Sequence, residues 1–397
     1  IAVLLLMFGF SAQSNAQEIN DTLPQITLQE AVKLSKSNYP LLKQKQLEIT
    51  KQEQLKATAY DFGNTQIFTG GEEINSDNGI YTTIGIGQSN IDVFGIGSKK
   101  KLQEQRIQLA QKAFQLSELE LELEVKKAWS KCYQMKRNYN LYKELDSIYS
   151  KFEQAVALNY EVEAISKLEY SAAKNQVFQI KNKKAQAYSD YLIALQQLNL
   201  WLVSEESFTV SDEFDVAMDI NIETFNIENH PLYSMSQNIV DEAEANYRVA
   251  KADNLPKFNL QGGFQKVNGN SGFYSYQAGV SIPFLSGSNK AQIRSAKIDK
   301  EIAETNVEFK KQEVQSRLVQ AKENYIKWKT SWEFYKDQVL PLTEVQKTGA
   351  LFAYKEGEID YTAFTQLIKE AVQSELEAQE ALINYLQSTF QLQYFNQ

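Results

Sequence analysis

The sequence predicts a mainly helical fold with a small β part, in which one structural repeat occurs twice. Three observations support this prediction: the placement of glycine and proline, a seven-residue spacing of leucines, and two short regions in which apolar and polar residues alternate. The 397 residues carry a net charge of -9. An acidic chain argues against nucleic-acid binding, because that function requires a basic surface.

The first sixteen residues are interpreted as the later part of a signal peptide. An apolar run over residues 1–10 is too short to span a bilayer and is followed by small and polar residues. The tripeptide Ser14-Asn15-Ala16 resembles a small-x-small cleavage site. A buried N-terminal strand is the alternative interpretation.

Glycine and proline are distributed very unevenly along the chain. Neither residue occurs between Gly97 and Pro231, and most glycines fall within residues 63–97 and 262–287. Such a long interval without helix breakers predicts long helices. We expect them over residues 26–60, about 98–159, 165–203 and about 288–354.

The first long helix carries two apolar stripes with a heptad spacing. One stripe consists of Leu102, Leu109, Leu116 and Leu123, and the other of Ile107, Phe114, Leu121 and Ala128. The stripes are five residues apart, which places them about 140° apart around a helix. A helix with two apolar faces has a neighbour on each side, as in the wall of a cylinder. A core helix of a compact bundle would show the same pattern.

Two regions alternate with the period of a β-strand and predict two hairpins, at about 64–91 and about 257–284. In the second hairpin the apolar positions are Phe258, Leu260, Gly262, Phe264, Tyr274, Tyr276, Ala278, Val280, Ile282 and Phe284. In the first hairpin they are Ile80, Thr82, Ile84 and Ile86. Four strands are too few to close a barrel. In an outer membrane, two chains would supply eight strands and three chains twelve, whereas a soluble sandwich is the alternative.

The two halves of the chain repeat each other with a period of roughly 190 residues. Asn38-Tyr39-Pro40-Leu41 matches Asn229-His230-Pro231-Leu232, so a structural role is predicted for His230 in place of Tyr39. We assign residues 17–203 to the first repeat and 229–397 to the second. Each repeat consists of a helix, a hairpin, a long helix, a turn and a last helix, and the turns are expected at about 160–165 and 354–360.

Residues 204–228 form an acidic linker between the repeats. A metal site is conceivable from Asp212, Glu213, Asp215 and Asp219, but a solvated linker is the favoured interpretation. The chain has one histidine and one cysteine, Cys132, for which we predict a packing role. These counts disfavour zinc clusters and Cys-His or Ser-His catalytic sets, so the prediction is a non-enzyme without a cofactor or a metal.

The second-half stretch VLPLTEVQKTGALFAYKEGEIDYTAFTQLIKEAVQSELEAQ, the two NxPL helix starts and the paired hairpins resemble TolC-like outer-membrane efflux proteins. The most specific part is Pro341 followed by Tyr354 and Gly357. The resemblance implies a homotrimer, with a twelve-stranded β-barrel in the outer-membrane lipid and a coiled-coil α-helical tunnel of long antiparallel helices in the periplasm. In a Gram-negative cell such a trimer is a passive efflux duct that docks on a periplasmic adaptor and an inner-membrane transporter.

The resemblance also implies that the two turns form the periplasmic tip or gate of the tunnel. The tip residues predicted in this chain are Tyr160, Glu161, Glu163, Glu169, Tyr354, Glu356, Gly357, Glu358 and Asp360. Glu163 stands where the family usually has glycine, which predicts a looser or differently shaped first turn. Ile359 stands in place of the family's arginine, and Ala363 and Gln366 replace its acidic residues.

Two hypotheses about function remain beside the efflux duct. The same duct could serve a type I protein secretion system, because protein export and small-molecule efflux use one exit channel in this family. A surface coiled-coil adhesin would explain the heptads but not the duplicated hairpins. For the acidic tip we expect cation selectivity, and charges that only solvate the turns or contact the adaptor are the alternative.

Overall fold

The computed structural model describes residues 23–73, 80–212, 225, 227–283 and 287–396. It divides into two compact units. Unit 1 takes its residues from Ile1–Asn38, Glu124–Met218 and Lys329–Gln387. Unit 2 takes its residues from Tyr39–Leu123, Asp219–Trp328 and Ser388–Gln397. The predicted signal peptide, residues 1–16, lies outside the described residues.

The described residues contain eight α-helices and six strands. The helices are α1 (Leu28–Asn38), α2 (Pro40–Gln54), α3 (Ile96–Glu161), α4 (Lys167–Leu202), α5 (Pro231–Ala252), α6 (Gly287–Phe334), α7 (Leu340–Lys355) and α8 (Tyr361–Phe395). The strands are β1 (Gln25–Ile26), β2 (Asn64–Glu73), β3 (Ile80–Ile91), β4 (Thr209–Val210), β5 (Lys257–Val267) and β6 (Asn270–Ser281). The predicted class, mainly helical with a few strands, is confirmed.

The first long helix is continuous, as expected. Helix α3 has 66 residues and contributes to both units. At 1.5 Å per residue it is about 100 Å long. Within the described residues, no helix combines the length and the apolar character of a membrane-spanning helix.

Two of the expected helices are interrupted at proline. The predicted helix over residues 26–60 breaks at Tyr39, whose backbone is extended (φ -68°, ψ 120°) because the residue before Pro40 is excluded from the helical region. The predicted helix over residues 288–354 contains a π-helical turn, Tyr335–Val339, shortly before Pro341. Proline lacks an N–H group and its ring collides with the carbonyl group four residues earlier, which accounts for the wider turn.

In unit 1, a short parallel β pair ties the N-terminal segment to the chain after α4. Gln25 pairs with Thr209 and Ile26 pairs with Val210. The buried Trp129 donates its indole N–H to the Ile26 carbonyl oxygen at 3.0 Å, so α3 holds this pair. Cys132 is buried one turn further along α3, and burial raises the pKa of its thiol to about 12, in keeping with a packing residue.

Unit 1 also buries one ammonium group among carboxylates. The side chain of Lys347 is only 4% exposed, and its Nζ lies 3.0 Å from Glu144 and from Glu375 and 3.2 Å from Glu344. Burial opposes the charged form, but the hydrogen bonds to Glu375 and Glu144 outweigh it, so the pKa of Lys347 is raised. Removing this lysine would leave Glu375, itself largely buried, without its partner.

In unit 2, the two hairpins join into one antiparallel sheet with the order β2-β3-β5-β6. The central pair aligns Ile84 with Phe264 and Ile86 with Gly262. Because partners across an antiparallel pair point to the same side, the apolar positions predicted for β3, β5 and β6 share one face with Ile67 of β2, whereas Phe68 lies on the opposite face. We call it the apolar face, and we call the opposite face the polar face.

At the base of the sheet, a buried carboxylate connects the end of β3 to the start of α3. Asp92 is 1% exposed and accepts the Gly95 N–H through Oδ1 at 2.7 Å. The ammonium group of Lys99 lies 2.9 Å from Asp92 and 3.1 Å from Asp61. The turn from strand to helix is therefore held by one lysine between two aspartates.

About half of the acidic linker, including Glu213, Asp215 and Asp219, lies outside the described residues. The interpretation as a solvated linker is wrong for its first part, because Thr209, Val210 and Ser211 are buried where β4 pairs with β1. Asp212 is described and forms an ion pair with Lys136 at 2.7 Å. Among the residues that the structure describes, no three or more His, Cys, Asp or Glu side chains are grouped so as to hold a metal ion.

His230 caps a helix in unit 2. Its Nδ1 accepts the Leu232 N–H at 3.2 Å at the N-terminus of α5, and the ring is 1% exposed. The ring centroids of Tyr394 and Phe395, at the end of α8, lie 5.0 and 5.2 Å away. A protonated ring could not accept this hydrogen bond and would place a positive charge at the positive end of a helix. Burial lowers the pKa of His230 accordingly.

We expect unit 2 to lose stability as the pH falls below about 6.5, because the unfolded chain then binds a proton that the folded His230 resists. The slope is at most about 1.4 kcal/mol per pH unit. His230→Tyr, which installs the residue found at the matching position of the first repeat, should remove this part of the pH dependence. Denaturant unfolding at pH 7.5 and 5.5 measures the change in the free energy of unfolding. If the wild type and His230→Tyr lose the same free energy between these pH values, this role of His230 is contradicted.

Candidate functional site

The predicted tip residues lie at one end of unit 1, where two helical hairpins share a core. The first turn, residues 162–166, connects α3 to α4, and the second turn, residues 356–360, connects α7 to α8. The core beneath them takes buried residues from all four helices. They are Leu141, Leu145, Tyr149, Phe152, Val156, Ala173, Val177, Ile180, Ala350, Tyr354, Phe364 and Ile368.

The two turns have the same backbone hydrogen bonds. In the first turn the N–H groups of Val162, Glu163 and Ala164 donate to the carbonyl oxygens of Leu158, Tyr160 and Asn159. In the second turn Glu356, Gly357 and Glu358 donate to Phe352, Tyr354 and Ala353. Each residue of the second set lies 194 positions after its counterpart in the first set. The expectation of a looser or differently shaped first turn is therefore wrong.

A left-handed backbone ends both helices. Gly357 has φ +76° and Glu163 has φ +59°. Glycine adopts this conformation freely, whereas a residue with a Cβ does so at a cost of roughly 1–2 kcal/mol. The first turn thus has the shape of the second at the expense of strain at Glu163.

Two of the predicted acidic tip residues cap helices. Glu169 forms a capping box with Ser166, in which the Ser166 N–H donates to Glu169 Oε2 at 2.8 Å and the Glu169 N–H donates to Ser166 Oγ at 3.2 Å. Asp360 accepts the Ala363 N–H at 2.8 Å and so occupies the place of Ser166 in the second hairpin. These carboxylates satisfy backbone N–H groups at the start of α4 and α8.

The residue before each cap is an isoleucine that packs inward. Ile165 and Ile359 both lie against the shared core, as do Tyr170 and Phe364, five residues after each isoleucine. This is the hydrophobic staple that fixes how a chain enters a helix. Ile359 therefore contributes to the packing of the shared core.

Tyr354 belongs to an aromatic cluster inside the core. Its ring centroid lies 4.9 Å from that of Phe152 and 5.7 Å from that of Phe364, and the residue is 5% exposed. Burial raises the pKa of Tyr354. Tyr160, its counterpart in the first repeat, is 38% exposed and stacks on Tyr170 at 4.7 Å.

The remaining tip carboxylates are solvent-exposed. Glu161 and Glu163 lie at the first turn, and Glu356 and Glu358 at the second. Apolar side chains are exposed beside them, with Val162 at 64% and Leu168 at 79%. The end of unit 1 thus presents four carboxylates interspersed with apolar groups on a rigid aromatic base.

Sequence reasoning placed the turns but did not identify the caps. The sequence does contain a signal for the first cap, because Ser166 followed three residues later by Glu169 is a capping-box pattern. The aromatic contacts between the two hairpins could not be read from sequence, since they depend on how four helices pack.

No protein-family model and no curated protein sequence matches the chain. Solved structures do match at the level of fold. The CusC structure, from work on transmembrane channel formation, has a TM-score of 0.77 at 14% identity and covers 93% of this chain and 92% of its own. A membrane protein from Pseudomonas aeruginosa gives 0.78 at 16% identity, covering 94% and 90%. The open state of the Neisseria gonorrhoeae MtrE outer membrane channel gives 0.75 at 14% identity, covering 92% and 88%.

We expect Glu163→Gly to stabilise the first turn by about 1 kcal/mol, because glycine relieves the left-handed strain. Gly357→Ala should destabilise the second turn by about the same amount. Hydrogen exchange of the Ala164 and Glu358 amides, which donate across the two turns, reports the local stability.

Glu161→Gly is the matched control for the first turn, since it removes a neighbouring carboxylate from the last helical residue of α3. It should destabilise the helix end, as glycine does in a helix. If Glu163→Gly and Glu161→Gly both destabilise the turn, strain at Glu163 is not the governing effect.

Proposed function

We propose that this chain, which has the fold of the TolC-like outer-membrane channels, is the outer-membrane exit duct of a tripartite efflux system. Three copies form the duct, and most of each chain lies in the periplasm. A periplasmic adaptor and an inner-membrane transporter deliver the substrate, and the duct conducts it passively. The chain is not an enzyme in this proposal.

The observation that carries the proposal is the reversed exposure of the sheet. On β3 the residues of the apolar face, Ile80, Thr82, Ile84 and Ile86, are exposed, whereas Tyr81 and Thr83 on the polar face are half-buried. A soluble sheet buries its apolar face. An exposed apolar face opposite a polar, less exposed one is the arrangement of a strand in an outer-membrane barrel, with lipid outside and water inside.

The outer strands of the sheet support assembly with further copies. Strands β2 and β6 lie at the two edges of the four-stranded sheet. Exposed edges require partners, and in a barrel each edge pairs with the next subunit. Two copies would give eight strands and an interior filled by side chains, whereas three would give twelve and leave a channel.

Large aromatic side chains on the apolar face fit a membrane environment. Tyr276 is 92% exposed, Tyr274 74% and Phe264 65%. On a soluble surface such side chains would form an aggregation-prone patch. In an outer membrane they contact lipid and the interface, where aromatic residues are enriched.

The energy for transport must come from a partner. The sequence contains no phosphate-binding loop of the GxxxxGK[ST] type. The exposed carboxylates and apolar groups at the end of unit 1 offer a surface for the adaptor. The adjacent transporter, rather than the duct, would then select the cargo, which leaves small molecules and exported proteins as possible substrates.

The proposal predicts an outer-membrane homotrimer that forms pores. Extracted in mild detergent, the protein should migrate at about 130 kDa or more without heating, since one chain is 45.4 kDa, and as a monomer after heating. In planar bilayers it should give discrete conductance steps. A soluble periplasmic monomer would overturn the proposal.

The four exposed tip carboxylates should make the entrance cation-selective, because three copies focus twelve negative charges at one opening. Neutralising Glu161, Glu163, Glu356 and Glu358 to glutamine should shift the reversal potential toward zero in a salt gradient. Glu53→Gln, an exposed carboxylate on α2, is the control. Glu169→Gln should reduce helix stability instead, since this carboxylate caps α4. An unchanged reversal potential in the fourfold variant would exclude tip charge as the source of selectivity.

A further inference from the structure

The polar face of the sheet contains a furrow that crosses the strands. Its centre is the row formed by Phe68, Gly85, Gly263 and Ser275, which are paired in sequence across β2, β3, β5 and β6. The row on one side contains Gln66, Gly87, Gln261 and Gln277, and the row on the other side contains Gly70, Thr83, Gln265 and Phe273. We call the central row the floor and the two flanking rows the walls.

The floor is kept low by two glycines that have no room for a side chain. A Cβ on Gly263 would lie 2.7 Å from the Ile84 carbonyl oxygen. A Cβ on Gly85 would lie 2.6 Å from the Gly262 carbonyl oxygen and 2.5 Å from Cζ of Phe68. The ring of Phe68 therefore lies over Gly85, and Phe68 is half-buried whereas the other residues of β2 are exposed. The furrow thus has an aromatic surface at one end of its floor.

The walls carry amide and hydroxyl groups. Gln261 Nε2 donates to Gln277 Oε1 at 2.6 Å, which orients both side chains and leaves Gln261 Oε1 and Gln277 Nε2 directed to other partners. Thr83 and Gln265 face them across the floor. The two walls lie four residues apart along each strand, or about 13 Å between Cα atoms.

The furrow belongs to a cavity of about 770 Å³. Its lining is neutral except for Glu72, which lies one row beyond Thr83. An anionic substrate would find no opposite charge among the lining residues, and an apolar one would leave the amide groups without hydrogen bonds. A sugar ring suits both the amide groups of the walls and the aromatic ring of the floor. Its hydroxyl groups donate and accept hydrogen bonds, while its C–H face covers an aromatic ring.

We propose that this furrow is a subsite for neutral, polyhydroxylated solutes of the sugar class. The inference deepens the proposed function and rests on it, since the furrow lines the pore only when three sheets close into a barrel. Phe68 supplies the stacking surface, Gln261 and Gln277 supply the hydrogen bonds, and Gly85 keeps the ring of Phe68 against the sheet.

The experiment measures the block of single-channel current by maltohexaose in planar bilayers. Wild-type channels should show concentration-dependent blockades, whereas polyethylene glycol of similar mass should not. Phe68→Ala and Gln261→Met should each raise the half-blocking concentration about tenfold. Phe264→Ala, which removes a ring from the opposite face of the same sheet, is the matched control and should leave the block unchanged.

Each outcome has a distinct meaning. Channels that conduct but respond equally to maltohexaose and polyethylene glycol overturn the subsite and leave the duct intact. If no channels form, the duct proposal fails, and saturation-transfer NMR of maltohexaose with the detergent-extracted protein then decides the subsite alone. If Phe68→Ala does not assemble, Gln277→Met tests the same wall. Equal blockade in wild type, Gln261→Met and Gln277→Met also overturns the subsite.

Discussion

The pairing of β3 with β5 joins the hairpins of the two repeats, and the sheet depends on its register. A two-stranded hairpin is marginal by itself, whereas four strands with a common face are stable. The register places Ile84 beside Phe264 and Gly85 beside Gly263. A shift by one residue would mix the apolar and polar faces, because side chains alternate along a strand. The same register therefore gives the sheet its apolar face and brings two glycines together under the furrow.

In unit 1, the two turns share their backbone geometry but not their side chains. The two turns have equivalent hydrogen bonds, although one places Glu163 and the other Gly357 at the left-handed position. The caps differ in the same way, since Ser166 with Glu169 in one hairpin corresponds to Asp360 in the other. The helix ends need backbone partners, and several residue types can supply them. Acidic residues at a tip are therefore divided between capping and surface charge.

Matching positions in the two halves of the chain also differ where a side chain is buried. Tyr354 lies in the aromatic cluster, whereas its counterpart Tyr160 stacks at the surface. Tyr39 begins α2 without a side-chain cap, whereas His230 caps α5 through its ring nitrogen. The buried ammonium group of Lys347 contacts three carboxylates, each on a different helix: Glu144 on α3, Glu344 on α7 and Glu375 on α8.

The sequence by itself determined the long helices, the two hairpins, both turns and the alternating faces of β3, β5 and β6. These follow from local periodicity and from glycine and proline, whose backbone preferences act within a few residues. Only the tertiary structure decided that Glu163 adopts a left-handed backbone, that Tyr354 joins an aromatic cluster with Phe152 and Phe364, and that Phe68 lies over Gly85. Phe68 and Gly85 meet because β2 and β3 pair in this register, and the aromatic cluster depends on how the helices around the two turns pack.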